Sequence, residues 1–203
     1  APELSGNDLN AYIAAGVYSD HECSTFENAL EKLRKGQFIM IREGTAAHNL
    51  KALMPLLTQQ YYSRCMFATD DKHPNDLLYG GHIDYIVKQA LKNGADPIVA
   101  LKTATHHAAR YFLLNNKGAI ASGYLADIVV VDNLEDFNVE TVFKRGKLVF
   151  DGEVKDFSAP TVDEKLAEKC FDTFHLDSVT PSSFKVDGKL GLIGLVGGEL
   201  LTR

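Results

Sequence analysis

The sequence of 203 residues lacks the features that mark several classes of protein. Its three cysteines, Cys23, Cys65 and Cys170, are far apart and odd in number, so we expect reduced thiols in a cytoplasmic protein rather than a disulfide framework. No CxxC or HExxH motif is present, so nothing indicates a zinc ribbon or a zincin. No apolar run approaches the ~18 residues of a membrane span. The first ten residues have neither the basic nor the apolar region of a secretory signal.

Positive charge is also scarce, with 21 Lys and Arg against 27 Asp and Glu and a net charge of -6. No basic patch stands out, so a nucleic-acid partner is not expected. The hydrophobic content of 45% and charged content of 24% are typical of a chain with a packed core.

The first 112 residues alternate between apolar runs and segments with helical spacing. Buried strands are predicted to start near residues 17, 38 and 64, in "VYSDHEC", "QFIMIREG" and "RCMFATDD". Helices are predicted for "LSGNDLNAYIAAG", "TFENALEKLRKG", "TAAHNLKALMPLLTQQYY", "HIDYIVKQALKNG" and "DPIVALKTATHHAARYF", and a loop for "KHPNDLLYGG". The charges of "LEKLRK" are interpreted as a solvated helix face. This alternation predicts a parallel α/β sheet.

Each predicted strand carries polar residues at its C-terminal end. Asp20, His21 and Glu22 follow the first strand, Arg42 and Glu43 the second, and Asp70 and Asp71 the third. Parallel α/β folds place their active sites at this edge of the sheet. The agreement among three strands therefore predicts a functional site here, although capping is a plain alternative for the two aspartates.

After residue 117 the pattern changes to a β-rich one. Strands are predicted at 127–131, 139–144 and 147–150, the last two joined at Arg145 and Gly146. A short amphipathic helix is predicted in "TVDEKLAEKCFDTF", and glycine-interrupted strand fragments in "FKVDGKLGLIGLVGGELLTR".

Four segments together resemble the adenine deaminases of the amidohydrolase superfamily. They are "APELSGNDLNAYIAAGVYSDHEC", "IREGTA", "ATDDKHPNDLLYGGHID" and "GAIASGYLADIVVVDNLEDFNVETVFKRGKLV". The resemblance covers residue 1 to about 155. It implies the C-terminal part of a TIM (β/α)8 barrel of a metal-dependent hydrolase, with about three βα units in residues 1–115, and a small β-sandwich-like module in residues 116–203.

The same resemblance implies a reaction and a set of roles. Adenine and water give hypoxanthine and ammonia, as part of purine salvage, with a divalent Mn, Fe or Zn ion. His21 and Asp70 match metal ligands, Glu22 the carboxylate that carries protons to the ring, and Asp70 also the acceptor of the water proton. Asp71 and Arg42 are assigned to substrate binding, with a structural Arg42–Glu43 ion pair as the alternative.

The H-x-H pair of the superfamily's first barrel strand is missing from this chain. Two ligands seldom hold a catalytic metal tightly, since three protein ligands are usual. We therefore expect an incomplete chain that is inactive alone, and a homo-oligomer that closes the open sheet edges. Two alternatives stay open: another amidohydrolase acting on cyclic amides, and a non-catalytic α/β oligomerisation module.

Overall fold

The computed structural model describes residues 3–155, 158, 160–186, 188, 191–198 and 202. Contacts divide the chain into two compact units, residues 1–155 with 195–203, and residues 156–194. The division predicted between residues 115 and 116 stays a prediction. Among the described residues, no helix has the length and hydrophobicity that crossing a membrane requires.

Three parallel strands form the first sheet: β1 (Ser19–Asp20), β2 (Phe38–Arg42) and β3 (Cys65–Ala68). The strand order is β1-β2-β3, so each strand lies beside the next one along the chain. All three of the β3 residues from 65 to 67 are buried, as expected for a strand covered on both faces. The sheet confirms the predicted parallel α/β arrangement.

Helices connect and cover these strands, and their ends follow simple capping rules. They are α1 (Gly6–Ala14), α2 (Phe26–Arg34), α3 (Leu50–Leu53), α4 (Pro74–Gly80), α5 (Ile83–Lys92), α6 (Pro97–Ala104) and α7 (His106–Tyr111). The Thr25 side chain accepts a hydrogen bond from the Asn28 amide at the start of α2. Asp96 does the same for Val99 at the start of α6, where Pro97 occupies the first turn.

Two predictions between β2 and α5 are wrong. The helix expected over residues 45–62 is limited to α3, which passes into a 3-10 turn at Met54–Leu56. Pro55 explains the break, because its ring removes a backbone donor and opposes a continuous helix. The segment expected as a loop contains α4, which Pro74 begins with a preset backbone angle.

The second sheet is antiparallel and contains β4 (Ile128–Val131), β5 (Val139–Lys144) and β6 (Lys147–Phe150). The β5–β6 turn has positive φ at both Arg145 (51°) and Gly146 (76°). Positive φ at both central residues is what a type I′ hairpin turn requires. These strands confirm the prediction for this part of the chain.

The core of the first unit lies between the parallel sheet and its helices. Its buried members include Ile39, Ile41, Leu53, Leu56, Cys65, Phe67, Ile86, Val87 and Val99. Burial of these apolar side chains supplies the main stabilisation of the unit and fixes the carboxyl ends of the three strands side by side.

In the second unit, α8 (Glu164–Phe171) is the amphipathic helix predicted there. The Asp163 carboxylate caps it by accepting a hydrogen bond from the Lys165 amide at 2.9 Å. The strand fragments predicted near the C-terminus fall partly on residues 187, 189–190, 199–201 and 203, which lie outside the described residues.

Candidate active site

The parallel register brings three polar strand ends to one edge. The three strands are parallel, so their carboxyl ends point the same way; Arg42 lies opposite Ala68, whereas β1 ends opposite Ile39, before the end of β2. His21 follows β1 directly, and Asp70 follows β3 after one residue. The predicted edge therefore exists: Arg42 is the last residue of β2, and His21 and Asp70 lie just beyond β1 and β3.

The Asp70 carboxylate contacts side chains from both other strand ends. Its Oδ2 atom lies 3.0 Å from Arg42 Nη1 and 3.9 Å from His21 Nε2. The His21 side chain is 47% exposed and the Asp70 side chain 34% exposed, whereas Arg42 is only 2% exposed. Asp70 also has φ of 51°, a left-handed conformation that an aspartate tolerates better than most residues. Such unusual backbone angles often occur at functional positions.

Arg42 pairs with Asp70 rather than with Glu43. Its Nε atom donates a hydrogen bond to Asn49 Oδ1 at 3.1 Å. Glu43 lies 2.8 Å from His48 Nδ1 and also accepts a hydrogen bond from the Leu50 amide. Arg42 is thus buried, and its hydrogen bond to Asn49 fixes the guanidinium group that contacts the Asp70 carboxylate.

A buried ion pair lies directly before His21. Lys32 Nζ is 2.9 Å from Asp20 Oδ2, and Asp20 Oδ1 accepts a hydrogen bond from the Glu22 amide at 2.7 Å. Lys32 is completely buried, so the prediction of a solvated charge at this position is wrong. Desolvation raises the pKa of Asp20, but the Lys32 and Glu22 hydrogen bonds outweigh it, and the net pKa is lowered.

The Cys23 thiol is buried beside the Lys32–Asp20 ion pair. Its Sγ atom accepts a hydrogen bond from Lys32 Nζ at 3.7 Å. Burial, followed by the Asp20 charge, raises the pKa of Cys23 to about 11. The thiol is therefore neutral near neutral pH, and a neutral thiol is a poor nucleophile.

Asp71 turns toward the loop after β2. Its Oδ2 atom accepts a hydrogen bond from the Ala46 amide at 2.7 Å. Desolvation raises the pKa of Asp71, yet backbone amides of Ala46, Asp71 itself and Ala47 lower it more, so the net pKa lies below the ordinary value. The same loop is tied again where Thr45 Oγ1 donates to the Asp76 carboxylate.

The structure thus brings His21, Arg42 and Asp70 together. Glu22 is adjacent to His21 in the sequence, and its backbone amide donates to Asp20. Sequence reasoning missed Lys32 and Asn49, which hold Asp20 and Arg42. A signal for Lys32 existed, because it follows the buried Ala29 by three residues and so lies on the same helix face.

His21 Nε2 and Asp70 Oδ2 fit part of a metal site. Imidazole nitrogen and carboxylate oxygen are ligands for divalent transition metals. Two ligands each ~2.1 Å from a tetrahedral metal lie ~3.4 Å apart, somewhat closer than the 3.9 Å between His21 Nε2 and Asp70 Oδ2. Within the described ranges, no group of three or more His, Cys, Asp or Glu side chains is arranged to hold a metal. The pair therefore requires further ligands.

Comparison with known proteins defines the class. The sequence signature of the amidohydrolase family matches residues 4–149, which is well over half of the chain. The chain belongs to the amidohydrolase family. A solved β-aspartyl dipeptidase of Fervidobacterium islandicum AW-1 has a similar fold, with a TM-score of 0.53 and 25% identity over 66% of this chain and 36% of that one.

Among curated proteins, the chain is similar to adenine deaminases. The Kosmotoga olearia enzyme is 49% identical over 179 residues, which cover 81% of this chain and 31% of the relative. Adenine deaminase 2 of Carboxydothermus hydrogenoformans is 43% identical over 206 aligned positions, covering all of this chain and 36% of the relative. The chain spans about a third of the length of these relatives.

Proposed function

We propose that this chain forms part of the active site of a hydrolase that converts adenine and water into hypoxanthine and ammonia. The observation that carries the proposal is the contact of Asp70 with both His21 and Arg42 at one sheet edge. Glu22 follows His21 in the sequence. The choice of adenine as the substrate is based on the similarity to adenine deaminases at 49% and 43% identity. The reaction would serve purine salvage in the cytoplasm.

The proposed metal ligands are His21 and Asp70, together with donors that the described residues do not supply. A divalent Mn, Fe or Zn ion, when bound, lowers the pKa of a coordinated water toward neutrality. The Asp70 carboxylate would accept a proton from the attacking water, and the 3.0 Å contact with Arg42 would keep that carboxylate in place.

Glu22 is the proposed proton carrier. Deamination adds one proton to the ring nitrogen and one to the departing amine, and both come from the attacking water. Glu22, starting protonated, would give its proton to the ring nitrogen, take the remaining proton of the added hydroxyl and pass it to the amine, while the proton taken by Asp70 would return to Glu22. Arg42 and Asp71 are retained as proposed substrate contacts. The three βα units would correspond to about the sixth to eighth strands of a (β/α)8 barrel, and copies of the chain would associate as a homo-oligomer.

A segment exchange tests this function. The matching segment of the Kosmotoga olearia adenine deaminase is replaced by this chain, and hypoxanthine formation is followed with Mn, Fe or Zn present. We expect the grafted enzyme to be active, and His21→Ala to lower its turnover by at least about 100-fold.

The matched control is His175→Ala, since the His175 side chain is 74% exposed in the second unit. It should leave turnover unchanged. A folded, metal-containing graft that does not deaminate adenine, beside an active Kosmotoga parent, would overturn the proposal. Activity of that same graft on cyclic amides alone would instead favour another amidohydrolase reaction.

A further inference from the structure

The Asp20 carboxylate bridges helix α2 and the turn that carries His21 and Glu22. One oxygen lies 2.9 Å from Lys32 Nζ, and the other accepts the Glu22 amide hydrogen bond at 2.7 Å. The Lys32 and Asp20 side chains are only 1% and 4% exposed. A rigid helix is thus connected, through one carboxylate, to the backbone of the proposed proton carrier.

Burial keeps the Lys32 ammonium group and the Asp20 carboxylate paired. A buried charge without its partner is strongly unfavourable, so Lys32 and Asp20 stay together in the folded chain. With Oδ2 held by the ammonium group, Oδ1 can only point toward the turn, where the Glu22 amide meets it. Charge-assisted hydrogen bonds of this kind are short and directional.

We propose that Lys32 is a positioning residue for the site: through Asp20, it fixes the turn that presents His21 and Glu22. This inference rests on the proposed function for its catalytic consequence, but its structural part does not depend on the substrate. Lys32 itself touches Asp20 and Cys23 and lies outside the reacting groups. Small displacements of catalytic groups have large effects on rate, so a fixed turn matters.

The structural part is tested in the 203-residue chain by amide hydrogen exchange of Glu22. The key variant is Asp20→Asn/Lys32→Met, which removes both buried charges and so avoids an unpaired one. We expect its free energy of unfolding to stay near that of the parent, while the Glu22 amide exchanges about tenfold faster or more. Lys32→Met alone should give the same local change together with lower stability.

The control is Lys35→Met on the same helix. Lys35, the C-cap residue of α2, forms a partly exposed ion pair with Glu31 at 2.8 Å and donates to the Gly6 carbonyl oxygen at 2.7 Å. This variant should leave Glu22 exchange unchanged. If the double variant keeps the parent's Glu22 protection, Lys32 does not fix the turn and the proposal fails.

The catalytic part is tested by placing the double variant in the grafted enzyme. A positioning role predicts kcat lowered about tenfold or more, with KM changed less than about twofold. If Lys32 only stabilises the fold, the double variant, whose stability is near that of the parent, should keep the parent's kcat. That result would overturn the proposal. If the unmodified graft is inactive, the proposed function fails, and the exchange data still decide whether Lys32 orders the turn.

Discussion

Gly44 lies against the Asp71 carboxylate in the loop that follows β2. A Cβ atom at this position would overlap Asp71 Oδ1 and lie 2.7 Å from both Asp71 Cγ and the Thr69 carbonyl oxygen. Asp71 Oδ1 is buried and has no hydrogen-bond partner among the described residues. The absence of a side chain at Gly44 is therefore what allows the β2 and β3 loops to pack together.

We predict that Gly44→Ala lowers the free energy of unfolding by about 2 kcal/mol or more, because backbone and carboxylate must both move. Urea denaturation measures the change. Gly80→Ala is the control, since a Cβ there meets nothing within 4 Å, and it should change stability by less than about 1 kcal/mol. A Gly44→Ala chain as stable as the parent would contradict this packing.

The positions of some residues at this edge were predictable from the sequence, but their contacts were not. The place of His21, Arg42 and Asp70 followed from strand ends, because parallel strands align their carboxyl ends. The partners of these residues did not follow. Helical spacing places Lys32 on the face of Ala29, but a lysine is usually exposed, and only the packed structure shows its ammonium group turned inward to Asp20.

Strands and hairpins were the most predictable elements. The boundaries of β5 and β6 agree with the sequence pattern, since alternating apolar residues and a turn at Arg145 and Gly146 determine them locally. The region after β2 was not predictable in the same way. Apolar spacing suggested one helix there, but Pro55 and the packing of Leu50 and Leu53 divide it into shorter pieces.

Asp127 directly precedes β4, and its carboxylate contacts Lys117 and the residues around the β5–β6 turn. Its Oδ2 atom lies 2.5 Å from Lys117 Nζ and 2.9 Å from Lys144 Nζ, and its Oδ1 atom accepts the Arg145 amide hydrogen bond. The Lys117 hydrogen bond, followed by those of Lys144 and Arg145, holds the pKa of Asp127 far below its usual range. The carboxylate thus favours the folded sheet in its charged form.

This lowered pKa predicts a pH dependence. Because the folded pKa lies below the ordinary value of 3.8, the stabilisation is complete above that pH and is lost as the pH falls further. Asp127→Asn should therefore be less stable than the parent at about pH 7, and the difference should shrink below about pH 4. Urea denaturation across this range measures it.

The control is Glu140→Gln on β5, whose side chain is exposed. Its stability difference from the parent should be small at every pH. A difference between Asp127→Asn and the parent that stays constant from neutral to acidic pH would contradict the assigned role of the Asp127 carboxylate.

The βα succession of the first unit places the three strands in chain order and so creates one shared functional edge. This arrangement was predictable because strand and helix signals alternate along the sequence. Barrel closure was not predictable from the same signals, since closure depends on strand number, tilt and stagger, which three strands do not determine.

The most direct test compares Glu22→Gln with His21→Ala in the grafted enzyme, measuring metal content and adenine turnover in the same samples. The proposed roles predict that Glu22→Gln keeps its metal but loses turnover by about 100-fold or more, because proton delivery is removed. His21→Ala should lose both metal and turnover. Full turnover in Glu22→Gln, or undiminished metal in His21→Ala, would contradict the assignment of proton transfer and metal binding to this edge.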